Sequence, residues 1–144
     1  MHLMVCLNGC TNLTSVPDQL FPSVTNKQVN DSTCKNMFKN CENLTTLSPK
    51  FLTGSNPITH ILPYGYYGMF ENCTKLTNIP YESLTTVIYG KNSHTLANMF
   101  KNCTSLTDIS GLKFNIKHAN NWDPRYAYSS MFERMYKFKH DEFC

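Results

Sequence analysis

The chain repeats nearly the same nine letters three times: MFKNCENLT at 37–45, MFENCTKLT at 69–77 and MFKNCTSLT at 99–107. An internal repeat constrains the fold more than any other feature, because each copy must fill an equivalent place beside the next. Aligned on the cysteine, Cys10, Cys41, Cys73 and Cys103 are separated by 31, 32 and 30 residues. We number each copy from this cysteine as position 0. Position +3 is Leu13, Leu44, Leu76 or Leu106, followed by Thr14, Thr45, Thr77 or Thr107. An aliphatic residue comes at +6: Val16, Leu47, Ile79 or Ile109. Position −4 is Met37, Met69 or Met99, and −3 is Phe38, Phe70 or Phe100, with Cys6 and Leu7 in the first copy. Position −7 is Leu3, Cys34, Tyr66 or Leu96. A degraded fifth copy, YSSMFERMYKF, keeps Tyr128, Met131 and Phe132, puts Met135 at the cysteine and Phe138 at the leucine.

Apolar residues at −7, −4, −3 and 0 predict a helix of two to three turns with one buried face. The Leu-Thr-x-Ile alternation that follows predicts a short strand, ended by Pro17, Pro49 or Pro80 in three copies. Neither element stands alone in water, so each copy must stack on its neighbour, as in a solenoid. Stacking places Cys10, Cys41, Cys73 and Cys103 in an internal column, with Met37, Phe38, Leu44, Met69, Phe70, Leu76, Met99, Phe100 and Leu106 as the repeated core. The column reads as packing of a small hydrophobe. The competing readings are a disulfide ladder and a metal column. One thiol per layer among Met and Phe does not offer the converging tetrahedron that zinc needs.

These residues, above all CKNMFKNCENLTTL, YYGMFENCTKLTNIP and LANMFKNCTSLTDI, resemble the BspA-like leucine-rich repeat family, in its Met-Phe-x-Gly-Cys-x-x-Leu-Thr variant. The likeness covers about residues 3–112 well and 126–138 weakly. It implies an α/β fold: a right-handed leucine-rich-repeat solenoid of about five units, with short parallel strands and short helices. Residues 1–144 then form a single domain, with repeats near 3–33, 34–65, 66–95 and 96–127 and a degenerate C-terminal cap at 128–144. The resemblance further implies a non-catalytic binding or adhesion module, at a bacterial cell surface or in a virion. The chain departs from the pattern in its longer return segments and in carrying Asn40, Asn72 and Asn102 where Gly is common, a change Asn tolerates because it accepts left-handed backbone.

Binding chemistry belongs on the return segments and variable positions. The segments carry apolar pairs that predict a second set of strands: Leu20-Phe21, Phe51-Leu52, Val87-Ile88 and Phe114 with Ile116. Trp122, Arg125 and Tyr126 combine the residue types that dominate interfaces; the alternative is that Trp122 plugs the end of the stack. Tyr66 falls in the core register, whereas Tyr64 and Tyr67 are candidate partner contacts. Lys35, Lys39, Glu42, Glu71, Lys75 and Lys101, at positions that vary between copies, are exposed candidates for the binding surface; the alternative is a plain solvated face. His60, His94 and His118 fall one per return segment at varying distance from the cysteines, which argues against a metal site. No carboxylate pair, phosphate-binding loop or nucleophile elbow suggests an enzyme, and no cofactor is expected. A net charge of +3 without a Lys/Arg block excludes a nucleic-acid footprint, and no apolar run is long enough for a membrane span. No signal peptide is visible at the start. The expected partner is therefore a protein or glycan. The alternative is a structural or assembly component, for instance of a phage virion, self-associating through the N-terminal edge at Leu3 and Cys6. Sequons stand at Asn12, Asn30, Asn43, Asn72 and Asn102; those at Asn72 and Asn102 are by-products of the repeat, and without a visible signal peptide none is read as glycosylated.

Overall fold

The computed structural model describes residues 7–18, 28–29, 34–51, 60–61, 64–80, 84–89, 94–109, 112–117 and 129–135. The N-terminal edge at Leu3 and Cys6, the cluster Trp122, Arg125 and Tyr126, and the pair Leu20-Phe21 lie outside them.

The segment spaced like a helix is not one. Among the described residues there is no α-helix, and the short helices expected from apolar spacing are replaced by linked turns. The backbone explains the difference. In copy two, Met37, Lys39 and Cys41 donate their N–H groups to the carbonyls of Cys34, Asn36 and Phe38, three residues back, at 3.2, 3.1 and 3.1 Å. The alternate N–H groups leave the copy. Cys34, Asn36, Phe38 and Asn40 donate to Gly65, Tyr67, Met69 and Glu71 of copy three at 3.1, 2.8, 2.9 and 2.9 Å. Copy three repeats this, with Tyr66, Gly68, Phe70 and Asn72 donating to Thr95, Ala97, Met99 and Lys101. Copy four follows, with Asn98, Phe100 and Asn102 donating to Ser129, Met131 and Glu133. An α-helix would spend every such group on its own carbonyls. Here half of them join one copy to the next.

That alternation needs left-handed backbone every fourth residue, at −5 and −1. Asn36 and Asn40 have φ of 55° and 63°, Gly68 and Asn72 59° and 63°, and Asn98 and Asn102 57° and 61°. Each stands third in one of the turns, the place where a type II turn takes Gly or Asn. In the fifth copy Ser130 and Arg134 take the same conformation at φ 54° and 62°, where an ordinary side chain costs about 1–2 kcal/mol.

Beyond the turns the described residues form six short strands: β1 (Ser15–Val16), β2 (Gln28–Val29), β3 (Thr46–Leu47), β4 (His60–Ile61), β5 (Leu84–Tyr89) and β6 (Leu112–Lys117). β1 pairs in parallel with β3, matching Val16 to Leu47, and Asn78 bridges Asp108 in parallel at the equivalent place in copies three and four. β2, β4, β5 and β6 form a second parallel sheet in that order, one strand from each return segment, with Ile61 opposite Ile88 and Ile88 opposite Ile116. The pairs Val87-Ile88 and Phe114 with Ile116 thus lie in strands. Phe51 does not: it sits in a turn, fully buried, and β4 forms nine residues later at His60–Ile61.

Met37, Phe38, Cys41, Leu44 and their counterparts Met69, Phe70, Cys73, Leu76, Met99, Phe100, Cys103 and Leu106 are all buried. The phenyl rings stack through the copies: Phe38 on Phe70 at 5.3 Å and 9°, Phe70 on Phe100 at 5.6 Å and 4°, and Phe100 on Phe132 at 6.0 Å and 8°. Phe51 meets Phe38 and Phe70 edge-on, both at 6.1 Å, an arrangement that the ring quadrupoles favour.

Candidate binding face

The turn ladder fixes what each repeat position presents. Position 0 faces inward, and the thiols there are hydrogen-bonded. Cys41 Sγ donates to the Leu7 carbonyl at 3.1 Å, Cys73 to Phe38 at 3.1 Å and Cys103 to Phe70 at 3.0 Å. Each thiol reaches the preceding copy, so a buried S–H finds its acceptor in the neighbouring layer. Burial pushes the Cys34 and Cys103 thiols up to about 12, the latter although the Cys73 backbone acts the other way. Cys73 is raised as well, by burial first and then by the flanking thiols. Cys10, Cys34, Cys41, Cys73 and Cys103 form no disulfide, and Cys10, at the first copy's place in the column, is half-buried where the others are buried. Raised, buried thiols are poor nucleophiles. No three His, Cys, Asp or Glu side chains converge among the described residues.

Two polar columns flank the turns. At −1 the amides form a ladder: Asn102 Nδ2 donates to Asn72 Oδ1 at 3.1 Å and Asn72 Nδ2 to Asn40 Oδ1 at 2.7 Å, and Asn40 Nδ2 continues it to Asn8 Oδ1, at −2 of the first copy, at 3.3 Å. At −2 the charge alternates through Lys39, Glu71, Lys101 and Glu133, with ion pairs Lys39–Glu71 at 3.2 Å and Lys101–Glu133 at 3.6 Å. Glu71 is therefore not part of the solvated face: it is buried, because its carboxylate lies between layers beside a lysine. Lys39 and Lys101 are half-buried, while Lys35, Glu42 and Lys75 are exposed. Lys75 Nζ donates to Asn43 Oδ1 at 2.6 Å, and Asn43 Nδ2 in turn to the Thr11 carbonyl at 2.7 Å. Like the amide ladder at Asn72 and Asn102, these bonds occupy sequon side chains in layer-to-layer contacts.

The remaining columns, −9 and −6, carry the one cluster with recognition chemistry. Tyr64 and His94 both stand at −9, and their rings stack at 5.4 Å and 8°. Tyr67 at −6 lies against Tyr64 at 5.6 Å and 53°. Lys35, at −6 of the copy before, holds its ammonium 5.3 Å from the centroids of both tyrosines. Asn98 Nδ2 donates to the Tyr67 hydroxyl at 3.0 Å. Tyr64 is 38% exposed and is the one exposed large hydrophobic side chain among the described residues; Tyr67 is half-buried and Tyr66 buried.

Sequence reasoning singled out Tyr64 and Tyr67, and Lys35 separately among six exposed candidates, but it did not group Lys35 with the tyrosines and weighed His94 only as a metal ligand. The missed signal is the repeat register: in sequence, Tyr64, His94 and Tyr126 all stand nine residues before position 0 of their copies. His60 lies in β4, away from that register in sequence, and His118 lies outside the described residues.

No family model, no curated protein and no solved structure matches the chain. The likeness to BspA-like repeats rests on the repeat residues themselves. No helix among the described residues is long and apolar enough to cross a membrane.

Proposed function

We propose that the chain is a non-catalytic binding module, a leucine-rich-repeat solenoid of about five units that recognises a protein or glycan through its surface. The observation that carries this reading is the exposed Tyr64, held between His94 and Tyr67 with Lys35 above both tyrosine rings. The inward positions are occupied by apolar side chains and satisfied thiols, which leaves the variable columns for recognition. An aromatic set on rigid backbone contributes contact area at small entropic cost.

The test is an array of glycans and extracellular proteins probed with labelled chain. A saturable signal should fall at least tenfold in the Tyr64→Ala/Tyr67→Ala double variant with its circular dichroism unchanged. A signal indifferent to the double variant would move the site elsewhere, and no signal on any spot would count against a binding module.

A second reading, a structural or assembly component, draws on the single sense of the ladder. Copies one to four all donate N–H groups to the copy that follows, so a second chain set end to end would continue the same pattern. Light scattering separates the two: a stable monomer from micromolar to millimolar concentration removes the assembly reading.

A further inference from the structure

Resting on the binding reading above, we propose that the Lys35–Tyr64–Tyr67–His94 cluster takes an acidic glycan, a sugar bearing a carboxylate or sulfate. The charge balance points that way. Among the described residues, Lys39 and Lys101 have carboxylate partners, whereas no ion pair engages Lys35 there. The described residues at −9 and −6, Tyr64, His94, Lys35, Tyr67, Ala97 and Ser129, include no acid. The Lys35 ammonium is nevertheless held in place, 5.3 Å from two ring centroids. The aromatic faces attract the cation but accept only part of its hydrogen bonding. A positioned ammonium with spare donors is a receptor for an anion, and its ordering is already present before binding.

The rest of the cluster suits a sugar. The exposed Tyr64 ring presents an apolar surface beside polar groups, matching a pyranose that has an apolar C–H face and a hydroxyl rim. The Tyr67 hydroxyl accepts from Asn98 Nδ2, which leaves its O–H available as a donor. Four side chains fit one or two sugar residues, whereas a stable protein interface needs about 800 Å² from each partner.

The full chain is titrated, by calorimetry and by amide NMR shifts, with 3′-sialyllactose and a heparin tetrasaccharide, and with lactose and maltotetraose as neutral controls. At least one acidic probe should bind ten times or more tighter than its neutral control. Tyr64→Ala should weaken it at least tenfold, and Lys35→Gln should erase the preference for acid while the chain stays folded. Lys50→Gln, which removes an exposed lysine outside the cluster, should change nothing. Equal losses in the Lys50 and Lys35 variants would mean diffuse charge attraction and overturn the proposal. Lactose binding as well as sialyllactose, through Tyr64, would also overturn it but leave the binding module standing. Acidic binding untouched by Tyr64→Ala and Lys35→Gln would remove the cluster as a site altogether. No binding of any probe would end the acidic-glycan assignment, and the protein spots of the array would then decide the broader reading.

Discussion

Gly9 and Gly68 both hold left-handed backbone, at φ 75° and 59°, for different reasons. Gly9 stands at −1, where the later copies carry Asn, and a Cβ there would meet nothing within 4 Å. Gly9→Asn should therefore leave the urea midpoint within the equivalent of about 0.5 kcal/mol of the parent, or raise it, since Asn tolerates this φ and narrows the unfolded ensemble. Gly68 stands at −5, and a Cβ there would collide with the Asn36 side-chain oxygen and lie 3.2 Å from Glu71 Oε2. Gly68→Ala should cost about 2–4 kcal/mol, joining backbone strain to overpacking. Adding Asn36→Gly, which removes the colliding side chain and still suits the φ of 55° there, should recover the steric share and leave the strain. Purely additive losses in the double variant would show that the two residues do not meet. The same repeat position thus asks for Asn in one layer and Gly in another, because the layer before decides the space.

At the scale of the element, the phenyl stack and the turn ladder carry the layers together. Phe70 touches the most: it stacks on Phe38 and Phe100 and receives the edge of Phe51. Phe132 is half-buried and stacks on Phe100. Phe70→Ala should cost about 3–5 kcal/mol and Phe132→Ala distinctly less, read as chemical-denaturation midpoints. Equal losses would mean that the stack does not transmit stability from its centre. Phe51, although it comes from a return segment, belongs with this element. Period and length do not reveal that, because Phe51-Leu52 looks like a strand pair, and only the edge-on contact with the stacked Phe38 and Phe70 rings shows Phe51 to belong inside. The amide ladder adds side-chain bonds along the same direction, as stacked Asn residues do in layered sheets.

For the molecule as a whole, the buried thiols couple stability to pH. A thiol that ionises near 9.0 when solvated and near 12 when buried keeps its proton in the folded state across that interval. The unfolded chain sheds the proton first, so these thiols leave stability intact below about pH 9 and lower it as pH rises toward 12. Each contributes a slope of about 1.4 kcal/mol per pH unit within that window. Urea midpoints at pH 8 and pH 10 should differ accordingly, and Cys103→Ala should flatten the dependence even though its own stability is lower. An unchanged slope would mean that Cys103 does not titrate differently on unfolding. Thiol reagents at pH 8 should label Cys34, Cys73 and Cys103 only as the chain unfolds.

Sequence alone determined which side chains go inside: residues at −7, −4, −3, 0 and +3 are apolar in copy after copy, and the described ones are buried from the second copy through the fourth. It also marked Tyr64 and Tyr67 as exceptions to that register. What it did not determine is the direction of the backbone hydrogen bonds. Apolar spacing of −7, −4, −3 and 0 suits a helix and a chain of turns alike, because both bring those positions to one side. The choice falls to the tertiary structure, where Asn and Gly at −5 and −1 open left-handed backbone and the next copy's carbonyls receive the N–H groups that a helix would have kept. The same neighbour relation brings Lys35 of one copy over the tyrosines of the next and His94 of a third against Tyr64. Such a cluster is assembled from residues some 30 apart in sequence, and only stacking the layers makes them adjacent.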